Sequence, residues 1–313
     1  MLVGVFPGQG SQYIGMGRDF YNQFSIAKNV YHEVDEVLGY KLSDLIFNGT
    51  EEDLKQTDKT QPALMVTSIA IARVLESECG INANKFKYLA GHSLGEYSAL
   101  CFAGAISLKD TAIALEARGR AMMQASTKYK GGMLALVGFT EESVDDLIND
   151  TIKNNPSALL VKANDNANGQ LVLSGDIEAI NYAAEKAKSF GIKMAIAIPV
   201  SGAFHSKHMS AATEKMKDVL DSITINPPAV PVIQNYSVEP VSEPSKIKQN
   251  LILQIEGSVK WRQTMLFCKD KGITKLVEIG AKNVLCGLCK RTTPDISQLS
   301  IEKVEHLSLF QTL

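Results

Sequence analysis

Residues 87–103, KYLAGHSLGEYSALCFA, decide the fold of this chain. The first four residues predict a short strand, residues 91–95 match G-x-S-x-G, and the remainder predicts a helix. A serine at such a strand-to-helix turn lies in strained backbone. The residues two before and two after it must be small so that its hydroxyl projects freely. The pattern therefore predicts that Ser93 is a nucleophile and that the N–H of Leu94, at the helix start, stabilises an oxyanion.

The same order of strand, turn and helix recurs at the start of the chain and near its end. A strand is predicted at residues 2–6, before a Gly-rich turn, and another at residues 275–279. This alternation is typical of a parallel sheet that is covered by helices on both faces. One of these helices is expected to open with Pro62 at its first position and to run to Cys79.

Residues 131–198 follow a different rhythm, in which strands and helices are predicted in the order β-α-β-β-α-β. This order is the split ferredoxin-like unit. The polar run at residues 164–169 is predicted to be the turn between its two central strands. We therefore predict an α/β protein, in which residues 1–126 and 200–313 form a parallel-sheet domain and residues 127–199 an inserted ferredoxin-like α+β subdomain.

Composition and charge exclude several classes of protein. The 313 residues are 45% hydrophobic and 21% charged, and the formal net charge is -2. This charge gives no electrostatic footprint for nucleic acid, and no apolar stretch reaches the ~18 residues of a membrane span. The N-terminal residues read as a strand rather than a signal peptide, and five cysteines suggest reduced thiols. We expect a soluble cytoplasmic protein that binds neither nucleic acid nor membrane.

A second oxyanion donor is expected beside Ser93. In a parallel sheet, the loop after a neighbouring strand lies at the same carboxyl edge. The sequence Gly8-Gln9-Gly10 follows the first strand, so the N–H of Gln9 is the candidate donor. Phosphate binding is disfavoured because Tyr13 stands where G-x-G-x-x-G requires glycine, and the chain has no G-x-x-x-x-G-K-[ST].

A serine nucleophile needs a base, and the chain has five histidines. His205 lies in a predicted loop between a strand and a helix, where active-site residues gather, and it is the candidate base. His306 is where a lipase-like hydrolase would place its base, but it lies in a polar tail. His208 follows His205 by one helical turn and could in principle share a metal ion with it. No third ligand at suitable spacing is visible, so we expect a solvated His208 and no metal.

Two further features bear on the substrate and on metals. Arg118 and Arg120 lie on one predicted helix, where an arginine is usually solvated, but the apolar neighbours of Arg118 favour an inward direction. An inward arginine in an acyl-transfer pocket implies an anionic acyl group, because guanidinium binds a carboxylate with two hydrogen bonds. The pair Cys286 and Cys289 lacks a second cysteine pair, which argues against zinc.

The chain resembles the malonyl-CoA:acyl carrier protein transacylase family of dissociated fatty-acid synthesis. The shared motifs run in order across nearly the whole chain: Phe6-Pro7-Gly8-Gln9-Gly10-Ser11-Gln12, Thr60-Gln61-Pro62-Ala63-Leu64, Gly91-His92-Ser93-Leu94-Gly95-Glu96-Tyr97-Ser98-Ala99-Leu100, Arg118-Gly119, Gly202-Ala203-Phe204-His205-Ser206 and Glu278-Ile279-Gly280. There are two departures. Ala281-Lys282 stands where the family often has Pro-Gly, and Cys286-Gly287-Leu288-Cys289 replaces Thr-Gly-Leu-Thr.

The resemblance implies an α/β-hydrolase-like domain with a ferredoxin-like insert, and it implies a role for each site residue. Ser93 would be the nucleophile, His205 the base, and Gln9 and Leu94 the oxyanion donors. Three further residues would orient the histidine and bind the acyl group: the Gln254 backbone carbonyl would hold His205, Arg118 would bind the malonyl carboxylate, and Phe204 is the form associated with malonyl rather than methylmalonyl specificity.

The expected reaction is ping-pong transfer of malonyl from malonyl-CoA to acyl carrier protein, with the coenzyme A thioester as substrate and no cofactor. The resemblance implies acyl carrier protein as the partner protein. We expect this chain to bind it on a basic patch and to be a monomer. Three alternatives stay open at this point. They are a lipase-type serine esterase using His306, a silent carrier-binding module, and an acyltransferase that serves a polyketide pathway.

Overall fold

A computed structural model describes residues 1–200 and 202–310 of the chain. The strands are β1 (Leu2–Phe6), β2 (Tyr88–Gly91), β3 (Gly131–Val137), β4 (Leu160–Ala167), β5 (Gln170–Asp176), β6 (Met194–Ile198), β7 (Val232–Ile233), β8 (Pro240–Val241), β9 (Lys275–Ile279) and β10 (Ser297–Ile301). The α-helices are α1 (Arg18–Gln23), α2 (Ser25–Leu38), α3 (Leu42–Asn48), α4 (Glu51–Lys55), α5 (Thr57–Cys79), α6 (Gly95–Phe102), α7 (Leu108–Lys128), α8 (Glu141–Asn154), α9 (Ile177–Lys186), α10 (Ser210–Ser222), α11 (Pro244–Glu256), α12 (Trp261–Asp270) and α13 (Val284–Thr292). Short 3-10 helices cover Ala83–Lys85, Ala187–Phe190, Lys207–Met209 and Val304–Phe310.

The larger sheet has six strands in the order β10-β9-β1-β2-β7-β8. All its neighbours are parallel except β7 and β8. Buried apolar side chains on the two faces belong to two separate core clusters, so that helices cover both faces. In the central pair, Phe6 lies opposite Gly91. This register brings the loop after β1 beside the turn after β2, as parallel strands require.

The smaller sheet is antiparallel, in the order β4-β5-β3-β6. Helices α8 and α9 pack on one of its faces and enclose a third core cluster. On the other face, Met133 and Val172 join the core cluster of the larger domain. The predicted fold class is confirmed: an α/β-hydrolase-like parallel-sheet domain carries a ferredoxin-like β-α-β-β-α-β subdomain between α7 and α10. Within the described residues, no helix is long and apolar enough to cross a membrane.

Two local predictions were wrong. Helix α5 begins at Thr57, so Pro62 lies inside the helix and not at its first position. Proline costs the helix one backbone hydrogen bond here. Burial of nearly every residue from Thr60 to Leu75 offsets this loss. Helix α7 also packs closely on α5, since a Cβ at Gly119 on α7 would lie 2.5 Å from the Asp58 Cα on α5.

The predicted turn at residues 164–169 is mostly strand. Strand β4 continues to Ala167, and only Asn168 and Gly169 form the turn. The polar side chains in this part of β4 bind the larger domain instead of solvent. Asp165 accepts hydrogen bonds from Arg262 on α12 at 2.8–3.0 Å. Contacts between the two domains therefore override the local turn signal.

Candidate active site

The serine turn predicted from sequence lies between β2 and α6. Ser93 has a φ of 53°, in the left-handed region that side chains rarely adopt. Close approach of the backbone requires glycine on both sides of it. A Cβ at Gly91 would lie 1.9 Å from the Gly95 carbonyl oxygen, and a Cβ at Gly95 would lie 2.2 Å from the carbonyl oxygen of Phe6. The sequence pattern thus gives the sharp turn that projects the Ser93 hydroxyl.

The imidazole of His205 faces this hydroxyl. Its Nε2 lies 2.9 Å from Ser93 Oγ, and its Nδ1 lies 2.9 Å from the Gln254 carbonyl oxygen and 3.2 Å from that of Gly257. Because both carbonyls only accept hydrogen bonds, the proton belongs on Nδ1 and Nε2 is free to accept one. His205 also has a positive φ, 55°. Backbone strain at both partners is typical of a functional site.

Burial sets the protonation state of this histidine. His205 is buried, and its pKa is lowered to about 3, first by desolvation and then by the positive charge of Arg118. The two carbonyl contacts act in the opposite direction and stabilise the charged ring. At neutral pH the imidazole is therefore neutral, which is the form that can remove a proton from Ser93.

Arg118, on α7, is fully buried and directed at the nucleophile. It donates to the side-chain oxygens of Gln61 at 2.7 Å and Gln254 at 3.0 Å, and to Ser93 Oγ at 3.1 Å. Its Nε is buried without a partner among the described residues. The inward direction favoured for Arg118 is thus observed, whereas Arg120 lies exposed beside Glu116. A guanidinium with free donors next to a hydroxyl can hold an anion attached to that hydroxyl.

The two candidate oxyanion donors lie on the same edge of the sheet. Leu94 precedes the first residue of α6, and Gln9 follows β1 in the adjacent loop. Among the described residues, the backbone N–H groups of Gln9 and Leu94 have no hydrogen-bond acceptor in the protein. Gly8 packs so closely on the serine turn that a Cβ there would lie 2.6 Å from the His92 carbonyl oxygen. The arrangement can bind a negatively charged oxygen beside Ser93.

A polar network behind the nucleophile was not found by sequence reasoning. Asn235 accepts a hydrogen bond from the Ser93 N–H at 2.7 Å and donates to the Gly91 carbonyl at 2.7 Å. The carboxylate of Glu96 accepts from the backbone N–H of Asn235 at 2.7 Å and from the side chain of Gln254 at 3.0 Å. The sequence carries little signal for this network, because Asn235 follows the short apolar stretch at residues 232–233 as an ordinary polar residue.

The site opens into a cavity of about 570 Å³ between the two domains. Its walls come from both sheets, and they bring together residues that are far apart in sequence. The larger domain contributes Gln9, Gln61, Ser93, Leu94, Arg118, Phe204 and His205, and the smaller sheet contributes Met133, Ala135, Val172 and Ile198. Gln254 lies behind this wall, buried completely. The structure therefore brings together the predicted site residues around one cavity.

The other histidines and the cysteines have different surroundings. His208 is not solvated as predicted: its Nε2 lies 2.7 Å from Asp176, and its ring stacks on Tyr129 at 4.5 Å. Asp176 lies in the inserted subdomain and Tyr129 directly follows α7, neither of which the local sequence showed. His306 lies outside the cavity lining, 3.9 Å from Glu305. Within the described residues, no group of three or more His, Cys, Asp or Glu could hold a metal ion.

A serine on a strand-to-helix turn of a parallel sheet, with a neutral histidine at its hydroxyl, defines the class of serine-dependent α/β acyl-transfer enzymes. Comparison with known proteins narrows this class. The model of the acyl transferase domain family matches residues 3–306. Malonyl CoA-acyl carrier protein transacylase of Bacillus subtilis (strain 168) is 41% identical over 310 residues, 99% of this chain and 96% of that protein.

Solved structures agree with this relationship. The acyl-carrier-protein-S-malonyltransferase from Bartonella henselae is 43% identical with a TM-score of 0.93, and the match covers 98% of this chain and 97% of that one. A malonyl-transacylase in complex with a type II PKS acyl-carrier protein is 35% identical with a TM-score of 0.94, covering 99% of both chains. The chain belongs to the malonyl CoA-acyl carrier protein transacylase family, and it is an acyltransferase.

Proposed function

We propose that this chain transfers a malonyl group from malonyl-CoA to the phosphopantetheine thiol of an acyl carrier protein, through an ester on Ser93. One observation carries the choice of acyl group: the buried guanidinium of Arg118 lies 3.1 Å from the nucleophilic oxygen. In a malonyl ester the free carboxylate carbon is three bonds from that oxygen. The carboxylate therefore lies beside Arg118, whereas an acetyl group has no carboxylate to accept hydrogen bonds from the guanidinium.

In the first half-reaction, His205 Nε2 accepts the proton of Ser93 Oγ as this oxygen attacks the thioester carbonyl of malonyl-CoA. The N–H groups of Gln9 and Leu94 bind the resulting oxyanion. When the tetrahedral intermediate collapses, the C–S bond breaks and the coenzyme A sulfur takes the proton from His205. Malonyl remains on Ser93 as an ester.

The second half-reaction reverses these roles. His205 removes the proton of the carrier-protein thiol, whose sulfur attacks the malonyl ester. The oxyanion again forms at Gln9 and Leu94. Collapse breaks the ester C–O bond, and the proton on His205 returns to Ser93 Oγ. Atoms and protons balance over the two halves, so that the reaction consumes no cofactor.

The charge of the substrate assists the base. In the free site, the Arg118 charge holds the pKa of His205 down, second only to burial. A malonyl carboxylate on Arg118 offsets that charge, which makes the imidazolium easier to form. The carbonyls of Gln254 and Gly257 then stabilise the imidazolium through Nδ1–H. Phe204, buried at the cavity wall, limits the space around the acyl chain.

The product supplies malonyl units for fatty-acid chain elongation. The same chemistry serves a polyketide pathway if the carrier belongs to one, as in the complex with a type II PKS carrier protein. We propose a cytoplasmic monomer that needs no cofactor or metal and binds neither nucleic acid nor membrane. An exposed basic patch would receive the acidic carrier, and binding that does not weaken with salt would contradict this docking.

The test is to incubate the protein separately with malonyl-CoA and acetyl-CoA, without carrier, and to measure the intact mass. The expected result is a malonyl adduct that is absent in Ser93→Ala, is much weaker with acetyl-CoA, and is discharged by holo carrier protein. Release of free acid without an adduct would replace the transferase by an esterase. If neither an adduct nor free acid forms, the remaining interpretation is a carrier-binding module without catalytic activity.

A further inference from the structure

A buried carboxylate lies behind the nucleophile, and the steps above do not use it. Glu96 is on the first turn of α6, and its side chain is 0% exposed. One oxygen, Oε2, accepts two hydrogen bonds, and the other has no partner among the described residues. Burying a carboxylate without an ion pair in contact is destabilising. A residue that served packing only would not need this charge.

Each hydrogen bond to Glu96 leads to the reaction centre in one further step. Asn235, which donates its backbone N–H to Glu96, binds the Ser93 N–H through its side chain. Gln254, which donates its side-chain amide to Glu96, accepts from His205 at its backbone carbonyl. Nucleophile and base are thus both two hydrogen bonds away from one oxygen atom.

The charge of Glu96 also fixes the orientation of the Gln254 amide. This amide lies between a cation and an anion: its oxygen accepts from Arg118, and its nitrogen donates to Glu96 and to the Ser93 carbonyl. A flipped amide would turn its NH₂ group to the guanidinium and its oxygen to the carboxylate, and both contacts would be repulsive. Glutamine at position 96 would keep the side-chain volume. It would remove the repulsion between Glu96 and a flipped Gln254 oxygen, so that Arg118 alone would select the amide orientation.

Resting on the function proposed above, we propose that Glu96 is a positioning residue for acyl transfer. Its carboxylate holds Asn235 and Gln254, and these two residues hold Ser93 and His205 in reacting geometry. The role is one of orientation, because Glu96 touches neither substrate nor the reacting atoms.

The chain offers a matched control in Glu278 on β9. This carboxylate is also 0% exposed and also accepts two hydrogen bonds, from the backbone N–H groups of Leu285 and Cys286 at 3.1 and 2.8 Å. Burial raises the pKa of both carboxyl groups to about 7. Glu278 is not among the residues that line the cavity. Glu96→Gln and Glu278→Gln therefore remove the same charge under the same burial, at different places.

The experiment measures acylation of Ser93 by malonyl-CoA and acetyl-CoA in single turnovers, together with the melting temperature. Glu96→Gln is expected to slow acylation by both donors about 10- to 100-fold with little change in KM, since misplacement by a fraction of an ångström is costly. Glu278→Gln is expected to react at the wild-type rate. Equal rates for Glu96→Gln and wild type, or equal losses in both variants, would overturn the positioning role.

A pH profile of the wild type tests the same proposal without a variant that must fold. The donor is malonyl-N-acetylcysteamine thioester, which has no phosphate to titrate. Of the ionisable groups, Arg118 and Tyr97 interact electrostatically with Glu96, and His205 is the proposed base of the reaction itself. Arg118 stays charged, and the pKa values of Tyr97 and His205 lie at about 12 and about 3. Because burial raises the pKa of Glu96 to about 7, the wild-type acylation kcat/KM should therefore rise with an inflection near pH 7.

A flat wild-type profile between pH 6 and 8 would contradict the proposal. Failure of the proposed function would look different, because the wild type itself would then form no acyl-Ser93 at any pH. Wild-type acylation together with an unperturbed Glu96→Gln variant would reject the positioning role and leave the transferase intact.

Discussion

Replacing Arg118 by alanine should remove most of the preference for malonyl over acetyl. The guanidinium has five N–H groups, three of which donate to Gln61, Gln254 and Ser93 in the free site, and a carboxylate bound to Arg118 is expected to accept two hydrogen bonds. Hydrogen bonds to charged groups contribute about 1.5–3 kcal/mol each, so two of them contribute about 3–6 kcal/mol. Desolvation of the carboxylate offsets roughly half of this. About 1.5–3 kcal/mol remains, which corresponds to about one to two orders of magnitude in the ratio of the two rates.

The assay compares single-turnover acylation of Ser93 by malonyl-CoA and acetyl-CoA in wild type and Arg118→Ala. The ratio of the two rates is the informative quantity, since loss of Arg118 also leaves the oxygens of Gln61 and Gln254 without a donor. That general damage affects both donors equally and cancels. Malonyl transfer should fall by about 10- to 100-fold relative to acetyl transfer. An unchanged ratio would refute the reasoning that Arg118 holds the malonyl carboxylate.

Three other perturbations test the base, the serine turn and the buried charge. His205→Ala should slow acylation about 10²–10⁴-fold, whereas His306→Ala should not, and single-turnover kinetics showing equal effects would contradict this assignment. Gly91→Ala should prevent folding, because its Cβ would lie 1.9 Å from the Gly95 carbonyl oxygen, and a wild-type melting temperature would refute this. Burial raises the pKa of Glu278 from 4.5 to about 7, so the stability it contributes is complete below pH 4.5 and is lost as pH rises through 7. Relative to wild type, Glu278→Gln should gain about 3 kcal/mol in the free energy of unfolding over this range, measured by urea titration, and a constant difference would contradict the shift.

The parts of the fold that could be predicted are those that short stretches of sequence determine. Glycines at positions 91 and 95 are needed for close contacts within one turn and with the adjacent strand. The G-x-S-x-G pattern therefore predicts the geometry of the turn directly. The order of strands and helices similarly determines a parallel sheet, because a right-handed crossover leaves few alternatives. His205 and Arg118 could be predicted as site residues from their sequence neighbours. His205 lies in a loop between a predicted strand and a predicted helix, and Arg118 has apolar neighbours.

What the sequence did not show depends on partners far along the chain. Asn235 looks like an ordinary loop residue, and only the fold brings it against the serine turn, 142 residues away. His208 reads as a solvated helix start until Asp176, from the inserted subdomain, is placed beside it. The polar residues at 164–166 favour a turn in isolation, but pairing with β5 and the contact of Asp165 with α12 hold them in a strand. Tertiary contacts decided each case, and local propensity did not.

The charges around the site explain why a backbone carbonyl, rather than a carboxylate, orients His205. A carboxylate on Nδ1 would add a negative charge close to Arg118 and would compete with the malonyl carboxylate for the guanidinium. The Gln254 carbonyl fixes the same tautomer without that charge. The negative charge that does balance Arg118 belongs to Glu96, and the Gln254 amide separates the two. Arg118 is therefore compensated through Gln254 and not by a carboxylate in contact, which supports the proposal that it binds the malonyl carboxylate.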